Sequence, residues 1–165
     1  MPENIFEHNK LRSMLFSKSF GYAVRSVLYI ASVQSKKRYV QLDEIASQLH
    51  LPKQFMGRLL KTLAKEKILT SFKGPTGGFS ITEENLQITL IKLMEITDGN
   101  RLENCVIKKR KCNPSNLCPF HDHFSKLRED LSILMMHTTT GEFVKADNPD
   151  FIRSLSETNG KNSKS

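Results

Sequence analysis

The residues able to do chemistry crowd into one stretch, Cys105-Val-Ile-Lys-Lys-Arg-Lys-Cys112-Asn-Pro-Ser-Asn-Leu-Cys118-Pro-Phe-His121, which holds all three cysteines of the chain. Metal ligation, disulfide exchange and chance clustering could each account for it. Thiolates are soft donors that suit zinc, copper(I) and iron–sulfur clusters. Zinc sites usually pair cysteines about two to four residues apart. Here the gaps are six and five residues, long for a zinc knuckle but acceptable to a cluster whose ligands spread along a wrapping loop. An odd number of thiols cannot close into a complete disulfide set. Pro119 is suited to begin a helix, which puts Cys118 and His121 one turn apart at its start, converging on one metal ion. His123 falls elsewhere on that turn and reads as a solvated histidine. The four consecutive cations Lys108 to Lys111 would offset the negative charge of a thiolate-bound cluster and raise its potential. As a bland alternative, they form an ordinary solvated loop.

A chain of 165 residues with 38% apolar content supports one compact domain or two small lobes. The net charge of +8 and pI near 9.5 favour a polyanionic partner, nucleic acid before an anionic membrane. The opening MPENIFEHNKLRS lacks an apolar signal region, and no apolar run reaches the ~18 residues that span a bilayer. The expected compartment is the cytoplasm, where thiols stay reduced.

Residues 18–33 carry Ala23, Val24, Val27, Leu28 and Ala31 at helical spacing. QSKKR reads as a loop, Tyr39-Val40 as a short strand, and Leu42, Ile45, Ala46 and Leu49 as a second helix. After a break at His50-Leu51, Pro52 is expected as the first residue of a third helix. That helix gathers Phe55, Met56, Leu59, Leu60, Leu63 and Ala64 on one face, and Lys53, Gln54, Gly57, Arg58, Lys61 and Lys65 on the other. From Lys53 to Lys73 six cations face one acid, Glu66, so five of the eight excess charges lie there. Ile68–Phe72 and Phe79–Thr82, around Lys73-Gly-Pro-Thr-Gly-Gly78, read as a β-hairpin.

Two helices across a tight break, followed by a basic hairpin, describe a winged helix–turn–helix, mainly α with a small β-hairpin. A basic stripe is usually only a solvated face. Its coincidence with the second helix of the pair and with a glycine-rich tip favours DNA. Farther on, Ile88–Thr97 is expected as a helix stopped by Asp98-Gly99. Phe120, Phe124, Leu127, Leu131 and Leu134 repeat at 4, 3, 4 and 3, a heptad seam. Most such seams are core; in so small a chain this one is expected to dimerise. After residue 146 the sequence turns polar and is expected to be disordered.

Met14-Leu-Phe-Ser-Lys-Ser-Phe-Gly-Tyr-Ala-Val, the Leu42-x-x-Ile-Ala helix, the wing Lys73-Gly-Pro-Thr-Gly-Gly-Phe and the three spaced cysteines resemble the IscR/NsrR-type regulators, the Rrf2 family. The likeness runs from about Met14 to Phe143. It implies a homodimeric winged-helix transcription regulator whose long C-terminal helix forms the dimer, with an iron–sulfur cluster held by the loop before that helix. Some members take an acidic ligand from the first helix of the other subunit. Gly21 stands at that position here, whereas His121, three residues after Cys118, matches members that use a histidine.

The expected organisation is an N-terminal extension (1–13), a winged-helix DNA-binding domain (14–82), a cluster loop with dimerisation helix (83–145), and a disordered tail (146–165). The expected ligands of a cluster, of 2Fe–2S type by the histidine and the resemblance, are Cys105, Cys112, Cys118 and His121. The expected DNA contacts are Ser17, Lys18 and Tyr22, within the segment that carries the resemblance, with Lys53, Gln54, Arg58 and Lys61 on the third helix and Lys73 on the wing. The operator is expected to be near-palindromic. The rival readings are a zinc-stapled or metal-free basic module and a redox enzyme, for which no catalytic or nucleotide-binding motif is present.

Overall fold

The computed structural model describes residues 16–99, 101–105, 110–115, 118–145 and 148–156. The expectations for the 1–13 extension, for Lys108 and Lys109, and for the last nine residues lie outside them. Ser17 starts helix α1 (Lys18–Val33): its backbone is extended and its Oγ accepts from the Phe20 N–H at 3.0 Å. Ala23, Val27 and Ile30 are fully buried along one face of α1. The buried Ser26 and Ser32 hydroxyls donate back to the carbonyls of Tyr22 and Leu28, both at 2.7 Å, so neither is left unpaired.

Helices α2 (Leu42–Gln48) and α3 (Lys53–Lys65) pack on α1. His50, in the left-handed region at φ 51, turns the chain between them, and the Leu51 N–H returns to Ala46 O at 2.9 Å. Leu49 and Leu51, fully and nearly fully buried, pin the turn on either side. Pro52 is the N-cap of α3 rather than its first helical residue. Its ψ of 114° is extended, while its carbonyl already accepts the first helical bond, from Met56 N. The apolar face of α3 is as expected, with Met56, Leu59, Leu60 and Leu63 buried.

Strands β1 (Thr70–Phe72) and β2 (Gly78–Ser80) pair antiparallel, Ser71 opposite Phe79. The strands are shorter than the sequence suggests because Ile68 ends α3: its N–H bonds to Leu63 O, with Lys67 left-handed before it, and Leu69 and Ile81 enter the core. The expected strand at Tyr39-Val40 reduces to one bridge, in which Val40 and Phe79 exchange two bonds of 2.9 Å. A Cβ on Gly78 would come within 2.5 Å of Val40 O, so that close crossing requires glycine.

Helix α4 (Leu90–Asp98) starts two residues later than expected. Ile88 and Leu90 are bonded across to Thr140 and Thr138, which holds this segment extended. Gly99, at φ 67, stops α4 as expected. The long helix α5 (His121–His137) lies against α4 and buries Met135. Its cap is Phe120, so Pro119 stands just before the helix instead of opening it. Residues 148–156 depart from the expected disorder. Asn148 caps helix α6 (Pro149–Ser154), and Leu155 is buried, its carbonyl accepting from Arg25 at 3.4 Å. Phe151, Ile152 and Leu155 are the apolar positions that a polar average conceals. Among the described residues, no helix is long and apolar enough to cross a membrane.

Candidate metal centre and nucleic-acid interface

The described residues on either side of the gap between the first two cysteines pair with one another. The Cys105 N–H bonds to Arg110 O at 2.8 Å, the Cys112 N–H bonds to Glu103 O at 2.7 Å, and Asn104 faces Lys111. The segments 103–105 and 110–112 thus lie side by side, with Cys105 in one and Cys112 in the other. Past Asn113, whose side chain accepts from the Ser115 N–H, the chain reaches Cys118 and the first turn of α5.

The four expected ligands meet as two pairs. Cys105 Sγ lies 3.6 Å from Cys118 Sγ, beyond the ~2.05 Å of a disulfide bond. Cys112 Sγ lies 3.1 Å from His121 Nδ1. The expected convergence of Cys118 and His121 gives way to these partners. With Cys118 outside the helix, its carbonyl accepts from the His121 N–H, and the two side chains serve different thiols. Among the described residues no three His, Cys, Asp or Glu side chains gather as a ready metal cage. The donors are three half-buried sulfurs and one imidazole nitrogen, a soft set that suits thiophilic metals. His123 is exposed.

The expected cationic field is only partly that. Lys111 is ion-paired with Glu103 at 2.8 Å, and this hydrogen-bonded carboxylate holds its ammonium above the ordinary lysine pKa. Arg128 of α5 touches sulfur, with Nη2 2.8 Å from Cys112 Sγ and Nη1 2.9 Å from Asn104 O. Sequence reasoning missed it. The available signal was spacing, since Arg128 follows His121 by seven residues and so shares its face of the helix.

Gln54, Arg58 and Lys61 are exposed along α3, and Lys73 is exposed at the hairpin tip. Lys53 is exposed and ion-paired with Asp43 of α2. Lys18 is exposed at the start of α1, but its neighbours are engaged internally. Ser17 caps α1 and also donates to Asp98, and the Tyr22 ring is buried edge-on against Phe55 and under the Arg25 guanidinium. Gly57 faces α2, where a Cβ would sit 3.3 Å from the flexible tip of Leu42, its Cδ2. Likewise Gly77 and Gly78 are demanded by crowding against the backbones of Phe72 and Val40. A short, closely packed wing lies beside an exposed, basic α3.

A helix–turn–helix with an antiparallel wing and a long trailing helix defines a winged-helix regulator. The chain belongs to the Rrf2 family, whose sequence profile, described as an iron-dependent transcriptional regulator, matches residues 16–146. It is a transcriptional regulator on that ground. A putative HTH-type transcriptional regulator of Aquifex aeolicus is 28% identical over 137 residues, covering 81% of this chain and 94% of that one. The HTH-type transcriptional regulator IscR of Vibrio atlanticus is 24% identical over 124 residues, covering 75% and 71%. Among solved structures, CymR of B. subtilis, described as its global cysteine regulator, superposes with TM-score 0.63 at 15% identity, covering 79% of this chain and 98% of that one. IscR of T. potens superposes at 0.58 with 16% identity, covering 77% and 83%. These two likenesses are of fold.

Proposed function

We propose that this regulator is a cytoplasmic homodimer that holds an iron–sulfur cluster of 2Fe–2S type through Cys105, Cys112, Cys118 and His121. Its grip on a near-palindromic operator would follow the state of that cluster. The observation that carries the reading is the pairing of the donors. Two irons each need two protein ligands, and Cys105 with Cys118 and Cys112 with His121 supply them. One tetrahedral zinc would instead need all four donors around a single point. Such a cluster supplies electron exchange and a centre open to oxidants or nitric oxide. The chain's own part is to hold it where the paired segments 103–105 and 110–112 meet α5, so that the pose of these segments and that of α5 are linked.

On the DNA side, Arg58 is two-pronged and suits guanine, and Gln54 suits adenine, each worth ~1–3 kcal/mol of discrimination. Lys61 takes a phosphate, as does Lys53 on exchanging Asp43 for it. Lys73 reaches the minor groove or its phosphates. Lys18 adds a contact from α1, whose pose Ser17 and Tyr22 fix. The dimer rests on α5: Leu127 and Leu134, in register with Phe120, remain about half exposed and apolar.

Anaerobic purification with iron and sulfide analysis tests the centre. The expected result is coloured protein with matched iron and acid-labile sulfide. Cys105→Ser, Cys112→Ser and Cys118→Ser should each abolish the colour, and His121→Ala should weaken or alter it. Colourless protein after reconstitution, with stoichiometric zinc, would replace this reading with a zinc-stapled module.

A further inference from the structure

Arg128 stands where no motif asks for a cation. It is half-buried on α5, and its two terminal nitrogens reach both of the paired segments, Asn104 O in the first and Cys112 Sγ in the second. A planar guanidinium has the fixed fork to make two such bonds at once, which a lysine ammonium lacks. The neighbouring Lys111 does not compete for this place, because it points to Glu103 with its side chain 76% exposed.

We propose that Arg128 is the positioning residue of the ligand loop. It clamps the paired segments 103–105 and 110–112 to α5 and aims a permanent positive charge at the sulfur of Cys112. This rests on the cluster reading for the role of Cys112. Two consequences follow from the geometry. A cationic donor on a ligand sulfur withdraws electron density and favours the reduced form, raising the potential. Because the same side chain also holds Asn104, a shift of Cys112 on losing its metal is passed to α5 through the guanidinium. Coupling between the metal site and the DNA face therefore runs through this residue.

Arg128→Gln removes the charge and the fork, whereas Arg128→Lys keeps the charge alone. In metal-free protein, hydrogen exchange at the amides of Cys105 and Cys112 reads the clamp directly. Both substitutions should speed exchange, by about tenfold for a lost charged hydrogen bond. In loaded protein, Arg128→Gln should lower the potential by about tenfold in the one-electron equilibrium, ~59 mV, and Arg128→Lys should restore most of it. The ratio of operator affinities between loaded and metal-free protein should move toward one in Arg128→Gln. Unchanged exchange and unchanged potential in Arg128→Gln would overturn the proposal. If the natural chain takes up no iron and sulfide, the cluster reading and the potential half of this one fall together. The exchange measurement then decides the clamp on its own.

Discussion

Truncating the outward leucines of α5 tests the dimer, on which the two-fold DNA reading depends. Leu127 and Leu134 are 54% and 61% exposed, seven residues apart, so they lie on one line along the helix. Burying a whole leucine side chain is worth ~1.5–3 kcal/mol. With about half of each still open to water, a partner could gain ~1 kcal/mol per leucine, and a two-fold interface repeats each one. The four leucine contacts together come to ~4 kcal/mol, or about a thousandfold in the dimer dissociation constant. Leu127→Ala combined with Leu134→Ala should show that loss in sedimentation equilibrium. The helix itself should survive, since alanine is the best helix former and the removed atoms face outward. Leu127→Lys should be harsher, because it leaves an unpaired ammonium in the interface. A natural chain that sediments as a monomer at micromolar concentration, or a double variant with unchanged dissociation, would refute the reasoning.

Arg58→Ala should relax base preference at one symmetric pair of operator positions, whereas Lys61→Ala should weaken all sequences alike and lower the salt slope by ~1. Equal losses on specific and random DNA would mean that α3 reads charge only. Gly57→Ala gains up to ~1 kcal/mol of helix propensity against a contact with the flexible tip of Leu42. Unfolding should show unchanged or raised stability, with unchanged DNA affinity; a fall in stability would mean that Leu42 cannot yield, and a fall in affinity would place Gly57 at the DNA interface. Burial, with the hydrogen bond to Glu44 at 2.9 Å, raises the Tyr29 phenol above its ordinary 10.0. In the unfolded chain it ionises near 10, so its stabilisation is whole below that pH and is lost as pH rises toward the folded value. Urea midpoints above pH ~10 should therefore fall less steeply in Tyr29→Phe than in the natural chain.

The α5 seam shows where pattern reading reaches its limit. The 4-3-4-3 spacing identifies apolar positions but cannot assign them to one surface. Phe124 and Leu131 are half-buried and Met135 is nearly fully buried, whereas Phe120, Leu127 and Leu134 look outward. Ile133 and Met136, outside the seam, are also exposed, on the other flank of the buried strip. One helix thus divides its apolar residues between its own core and open surface, a division set by where α4 lies.

Local chemistry in the sequence determined α1, the α2–α3 pair with the apolar face of α3, the hairpin, the stop at Gly99, and the cysteine loop leading to a helix. Each rests on periodicity, on a cap, or on a glycine that only one geometry tolerates. Tertiary structure alone decided which donors meet. Cys105 finds Cys118, and Cys112 finds His121, because segments 103–105 and 110–112 pair beside the start of α5. It also gave Arg128 a sulfur to hold, turned Gly57 toward Leu42, and docked α6 through Leu155. All of these are contacts between segments distant along the chain. Residue spacing fixes the direction of a side chain within its own element, whereas the partner it meets depends on how whole elements pack.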